Sequence, residues 1–304
     1  MKIIRLNFNS PLHVGEIGIG LEECSPIIHS DTIFNAIINA YALMHSEEQT
    51  DVFVEKFEAV KISSAFPHFD DDILFPKPRI NINTKIDVSD YAKELKRTEY
   101  ISKGYFEKII NNEEFSKEEI EELIKEREFF KDYQIPKVYL DRETKESDFF
   151  FISLIKFKED CGLWFSIECE NGVYKDICSC LRLLQDEGIG GKRTWGYGLF
   201  EFREDDIDIR LPNKPNMHLL LSLFYPNENE NALFNGENAS WDFVIRGGWR
   251  KTGIRKPRIK MIKEGSVFDS MPIGKILKFD TLKFHHYGLA YTIPMVRREK
   301  EDEK

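Results

Sequence analysis

Between Gly188 and Gly198 the chain reads GIGGKRTWGYG, with glycine at Gly188, Gly190, Gly191, Gly196 and Gly198 and with Lys192 and Arg193 between them. Glycine lets a ligand approach the backbone N–H groups closely and the two cations add charge, so the segment predicts binding of a phosphate. It is not a Walker loop, because Asp186 stands where the first glycine of that motif belongs and Arg193 where Ser or Thr belongs. Nor is it a dinucleotide fingerprint, since it follows a predicted helix and leads into a predicted strand, the reverse of the Rossmann order. A second cationic segment runs from Arg246 to Lys263, with eight Lys or Arg residues and no acid. Eight like charges repel one another unless an anion or an acidic protein surface neutralises them, and the residues by themselves leave both partners open. The aromatics beside these charges, Trp195, Tyr197 and Trp249, suit either stacking on a ligand or packing in a core.

The elements that must hold these segments are legible in outline. Met1 to Phe8 alternates, with Ile4, Leu6 and Phe8 on one side, which is the period of a half-buried strand. Ser30 or Asp31 caps a predicted helix whose Ile33, Phe34, Ile37, Ile38 and Tyr41 share a face. Short strands are expected at 61–66 and 73–75, a pair of strands at 149–157 and 163–170, a helix from about Tyr174 to a glycine stop at Gly188, and a strand at 196–202. That order is close to a βαββαβ ferredoxin-like unit. Residues 77–146 read as an insertion, basic over 77–103 (seven bases, four acids) and acidic over 113–128 (eight acids, three bases), the latter a solvated helix on the surface. Residues 203–216 read as a linker, and a β-rich second part follows.

Composition narrows the functional classes. With 304 residues and 41% hydrophobic content the chain can bury one large core or two smaller ones. No apolar run approaches the roughly 20 residues of a membrane span, and the first residues lack a secretory signal, so a cytoplasmic protein with no membrane partner is expected. Five cysteines, at 24, 161, 169, 178 and 180, are odd in number and lack the close pairing of structural zinc sites, which favours packing thiols over a disulfide framework or a metal. The net charge of −10 argues against a nucleic-acid partner until its distribution is considered: outside 246–263 stand 35 bases against 53 acids, a net of −18. One anion-binding face on an otherwise repelling body is the expectation.

A glycine-rich loop between the second helix and the last strand of a ferredoxin-like unit, after an opening strand and HSDTIFNAI, resembles the RAMP superfamily of CRISPR proteins. RLNFNSPLHVGEIGIGLEE at 5–23, IIHSDTIFNAI at 27–37, GIGGKRTWGYGLF at 188–200 and GGWRKTGIRKPRIKMIKEGSVF at 247–268 together are similar to the guide-end subunit of type III-A (Csm) complexes. The resemblance implies an α+β fold of two ferredoxin-like (RRM-like) domains, 1–205 with the 77–146 insertion and a degenerate, β-rich 215–304. It implies a non-catalytic, cytoplasmic subunit that holds the 5′ handle of crRNA and bridges the backbone RAMP subunit to the large Palm-domain subunit. Neither cofactor nor metal ion is expected. Single-stranded RNA is held by charge neutralisation and base stacking, and the residues expected to do so are His29, Ser30, Gly188, Gly190, Gly191, Lys192, Arg193, Trp195, Tyr197, Trp249, Arg250, Lys251, Arg255, Lys256, Arg258 and Lys260. The rival reading is a metal-independent CRISPR-repeat endoribonuclease with His29 or His13 as acid or base, but no second His or Tyr stands near His29 in the motif, where Ser30 and Asp31 read as helix caps. A metabolic enzyme for a phosphorylated small molecule is a third, which the dispersed basic run disfavours.

Overall fold

The computed structural model describes residues 1–15, 20–125, 127–140, 143, 147–248, 256–279 and 284–297. It begins with strand β1 (Lys2–Phe8), helices α1 (Ser30–Met44) and α2 (Glu47–Lys56), and strands β2 (Lys61–Ile62), β3 (Phe66–Phe69) and β4 (Asp72–Pro76). Helix α1 buries Ile33, Phe34, Ile37, Ala40 and Tyr41, a stripe at three- and four-residue spacing. The expected caps are corrected here. Ser30 already lies inside the helix, His29 occupies the N-cap position without a side-chain cap, and the polar side chains of Ser30 and Asp31 are spent on distant partners.

The expected insertion divides into two parts. Helix α3 (Ala92–Arg97), strand β5 (Tyr100–Ser102), α4 (Lys103–Ile110) and α5 (Lys117–Leu123) pack against the body. Phe75 and Phe106 stack with ring centres 4.1 Å apart. The acidic stretch is not a plain solvated excursion: α5 turns its glutamates outward but buries Ile120 and Leu123, which anchors it. The remainder forms β6 (Phe130–Leu140), paired in register with β7 (Ser147–Phe157) as a long antiparallel hairpin. Its base is tied to the opening loop through Leu12 and Ile155, while Val138, Tyr139, Leu140 and Phe149 at the far end are exposed.

Strand β8 (Cys161–Glu168), helix α6 (Asn171–Glu187) and strand β9 (Phe200–Asp206) complete the main sheet, whose order is β5-β4-β3-β8-β1-β9 with β2 also on β8. The paired neighbours are antiparallel. Gly188 closes α6 with φ +77°, as the glycine stop predicts. Strand β9 starts at Phe200 rather than 196, because Gly196 and Gly198 hold positive φ and break the extended run, and it continues to Asp206, into the expected linker.

Strand β1 is covered on both faces, so the half-buried expectation is revised. Ile4 and Leu6 join a core with α1 and α6 residues, while Ile3 joins Phe66, Trp164 and the later Met217, Leu219 and Tyr291 on the other face. Arg5 is thereby buried, at 4% exposure, and is met by the Asp70 carbonyl and the Asp205 carboxylate, each at 2.7 Å. The second face is covered by β10 (Met217–Leu220), which pairs with two later strands. In chain order come β11 (Phe243–Arg246), β12 (Ile259–Ile262), β13 (Val267–Phe268), β14 (Leu277–Phe279), β15 (Phe284–His286) and β16 (Thr292–Met295). Strands β13-β10-β16 form a three-stranded sheet; β11-β12 and β14-β15 are two-stranded ribbons. Among the described residues no helix is long and apolar enough to cross a membrane.

Candidate nucleic-acid interface

The 188–198 loop owes its glycines to its own packing. A Cβ at Gly190, where φ is +92°, would lie 2.6 Å from the His13 carbonyl oxygen; one at Gly198 would lie 2.0 Å from that of Ile189. Gly191 donates its N–H to His13 O at 2.7 Å and Gly198 to Pro11 O at 2.8 Å, so the loop is riveted to the segment that follows β1. This rigidity presents the rest of the loop outward. Lys192 adopts a left-handed backbone (φ +56°), and its Nζ sits 4.8 Å from the Trp195 ring centre. Trp195 is 43% exposed and takes a second cation, Lys137 from β6, at 5.3 Å. Tyr197 is half-buried, its ring 6.4 Å from that of Trp195. Trp195 is therefore no core aromatic: it is a surface ring with lysines about it, worth about 0.5–1 kcal/mol each at an exposed site.

The fold brings the second glycine-rich segment onto the same groove, a depression of about 1510 Å³ lined by His13, Gly188–Arg193, Arg246–Gly248, Lys256, Lys278 and Phe284–His286. Its other bank is the α1–α2 face, with Asn35, Asn39, Thr50, Asp51 and Glu55. Of the expected cations, Lys256 lines the groove, with Nζ 5.4 Å from the Phe284 ring. Lys260 lies on β12 with Nζ 4.7 Å from the Phe243 ring, and neither it nor Arg258 lines the groove. Trp249, Arg250, Lys251 and Arg255 fall outside the described residues.

Beneath the groove lies a buried polar network joining the two ends of the chain. Arg246, counted in sequence among the free cations of the basic run, is 3% exposed and spent inside: Nε and Nη2 donate to the two oxygens of Asp31 at 3.0 and 2.9 Å, and Nη2 also to Thr32 Oγ1 at 2.9 Å. Burial pushes the Asp31 carboxyl up, but Arg246, then His286, more than offset it and hold it well below the usual carboxylate range. His29 is 1% exposed, and its Nδ1–H donates to Glu264 Oε1 at 2.8 Å, an oxygen that also accepts from Ser64 Oγ. Burial likewise raises the Glu264 carboxyl, and the neighbouring His29 and Ser64 bring it below its ordinary value. Ser30 Oγ accepts the Leu223 N–H at 3.0 Å. The side chains of His29 and Ser30, expected at the RNA surface, thus lie in the interior. His13 keeps its place on the groove, its Nδ1–H held by Ser153 O at 2.8 Å.

The chain matches the RAMP superfamily over residues 5–201 and the CRISPR Csm4 C-terminal domain over residues 213–297. It is 32% identical over 280 residues to the CRISPR system Cms protein Csm4 of Thermococcus onnurineus, covering 88% of this chain and 91% of that one. The chain belongs to the Csm4 family of RAMP proteins. A Csm4 of Streptococcus thermophilus is 24% identical over 292 residues, 91% of this chain and 93% of the relative. The Csm4 fold agrees: a Csm1-Csm4 cassette solved with AMPPNP matches at a TM-score of 0.68 and 22% identity over 98% of both chains. A Csm3-Csm4 subcomplex of the type III-A interference complex matches at 0.68 and 20%, over 98% of this chain and 100% of that one.

Sequence reasoning missed Lys137 and Lys278 on this Csm4-family chain. Lys137 stands in the alternating run FKDYQIPKVYL, whose period marks a strand but says nothing of which loop it meets. Lys278 lies on the short ribbon strand β14, where only its place on the groove wall singles it out.

Proposed function

We propose that this chain is a non-catalytic, RNA-binding subunit of a type III-A CRISPR (Csm) interference complex, holding the crRNA 5′ handle in the groove and bridging a backbone RAMP subunit to the large Palm-domain subunit. The observation that carries this is the meeting of both glycine-rich segments on one groove, where Lys192, Arg193, Lys256 and Lys278 share a lining and Trp195 stands exposed at the loop. Cations that track a backbone beside an aromatic platform are what single-stranded RNA requires. The similar solved proteins were captured with Csm1 and with Csm3, which supports the same assembly here. Without catalysis of its own, the chain acts by grip: His29 is committed to Glu264 away from the groove, and His13, held by the Ser153 carbonyl, has no paired acid among the described residues.

In this reading the first domain, 1–205, is a ferredoxin-like unit: β9-β1-β8 with β2 and β3 has the order of a split βαβ pair, with α1 and α6 as crossovers. The β-rich 215–304 is its degenerate companion, and the assembly works in the cytoplasm. Pull-down of the tagged protein from its native cell tests the whole: recovery of both neighbouring subunits with guide RNAs sharing one repeat-derived 5′ end is expected. Recovery alone, or with RNA of random ends, overturns it.

A further inference from the structure

A second cationic site stands apart from the groove. A small pocket of about 110 Å³ is lined by Lys77, Arg79, Lys96 and Lys263 together with Glu99, Tyr100 and Glu264. The basic first part of the insertion, 77–103, supplies three of those cations, and no role for it follows from the groove. The pocket is built rather than incidental. The backbone N–H of Lys77 donates to Glu99 O at 2.8 Å and that of Arg79 to Gly265 O at 2.9 Å, which fixes the segment between edge strand β5 and the turn after β12.

Charge bookkeeping identifies what fits. Arg79 is held by Asp242 at 2.7 Å and Lys263 lies 3.6 Å from Glu99. Glu264 gives one oxygen to His29 and Ser64. Neither Lys77 nor Lys96 has a carboxylate within ion-pair distance among the described residues, and Lys77 is half-buried, so its charge is partly stripped of water without a direct counter-charge. Burial, then the neighbouring Arg79, lowers its affinity for the proton, the mark of a cation lacking a counter-charge. The volume equals roughly three or four waters, room for one tetrahedral oxyanion. With Asp242 on Arg79, three carboxylates stand among four cations and leave an excess of one positive charge, which a singly charged phosphodiester neutralises and which leaves the further charge of a monoester or triphosphate uncompensated.

We infer that this pocket is a second anion site, taking one phosphodiester of the bound RNA strand at Lys77 and Lys96. It rests on the reading of the chain as an RNA-binding subunit and adds a contact outside the groove. The test uses the full chain and single-stranded RNA carrying a repeat-derived 5′ end. In Lys77→Gln/Lys96→Gln, log affinity against log salt should lose about 0.7 in slope for the phosphate released, affinity at low salt should fall several-fold, and the melting temperature should hold. Lys192→Ala/Arg193→Ala serves as the groove comparator. Amine-reactive footprinting of the unaltered protein should show Lys77 and Lys96 protected by RNA and not by equal concentrations of inorganic phosphate or ATP; this arm stands even where a variant misfolds. An unchanged slope in the pocket variant with a reduced one in the groove variant overturns the second site and leaves the proposed function intact. Unchanged binding in both overturns both. Protection by ATP or phosphate but not by RNA makes the pocket a site for free phosphates and also overturns the inference.

Discussion

Asp31 and Arg246 lie 215 residues apart in the chain and meet as a two-pronged ion pair, both nearly sealed from water. The pair ties the first turn of α1 to the end of β11, and so fixes the wall that carries Arg246–Gly248 against the helix that forms the opposite bank. Removing one partner of such a pair strands the other charge in a medium that cannot solvate it. Arg246→Ala should therefore cost about 3–5 kcal/mol, measured by denaturant unfolding, whereas Asp31→Asn with Arg246→Met together should cost less than the sum of the single changes. Additive single costs in that cycle would show that the pair is not coupled.

Acidification should unfold the protein in two stages. Burial, then Arg5 and Arg203, depresses the His68 imidazole to about 4. A group depressed in the folded state contributes stability that is full above its unfolded value, near 6.5, and is lost as pH falls toward 4; the contribution is at most about 3 kcal/mol. Asp31 and Glu264 are depressed carboxylates, so their share persists above about 4 and disappears below it. Melting temperature against pH should show both legs, and His68→Leu should flatten only the upper one. A His68→Leu profile identical to the parent between pH 6.5 and 4 contradicts this assignment.

The glycines of the loop should not be equivalent. Gly198→Ala places a Cβ on the Ile189 carbonyl oxygen at a positive φ and should disrupt the loop, lowering both stability and RNA affinity. Gly196→Ala meets nothing within 4 Å and carries only the cost of its φ of +82°, about 1 kcal/mol. Thermal denaturation of the two variants side by side distinguishes them, and equal losses would refute the packing argument.

Trp195→Ala should weaken RNA binding by about 1–3 kcal/mol if a base stacks on the ring, with little change in melting temperature because the side chain is exposed. Lys137→Ala should give a smaller loss and a lower salt slope. Titration of a fluorescent handle RNA reads both, and full affinity in Trp195→Ala removes the stacking platform.

His29→Ala should leave guide maturation intact while destabilising the protein, since the imidazole serves Glu264 in the interior. Loss of the donor leaves a buried carboxylate with Ser64 alone among its described side-chain partners. Accumulation of uncut precursor RNA with unchanged stability would point instead to the nuclease reading.

The opening strand, the amphipathic α1 and the glycine stop of α6 at Gly188 were legible in the amino-acid order, because each is written in local periodicity or residue type. The tertiary structure alone decided which charges remain available. Arg246 looked like any other member of a basic run until Asp31 was found against it, and His29 looked like a surface histidine until Glu264 closed on it. Such partners lie more than two hundred residues apart, a separation at which sequence carries no record of contact. Burial then selects the pairing, since an unpaired charge in the interior costs more than the chain can sustain.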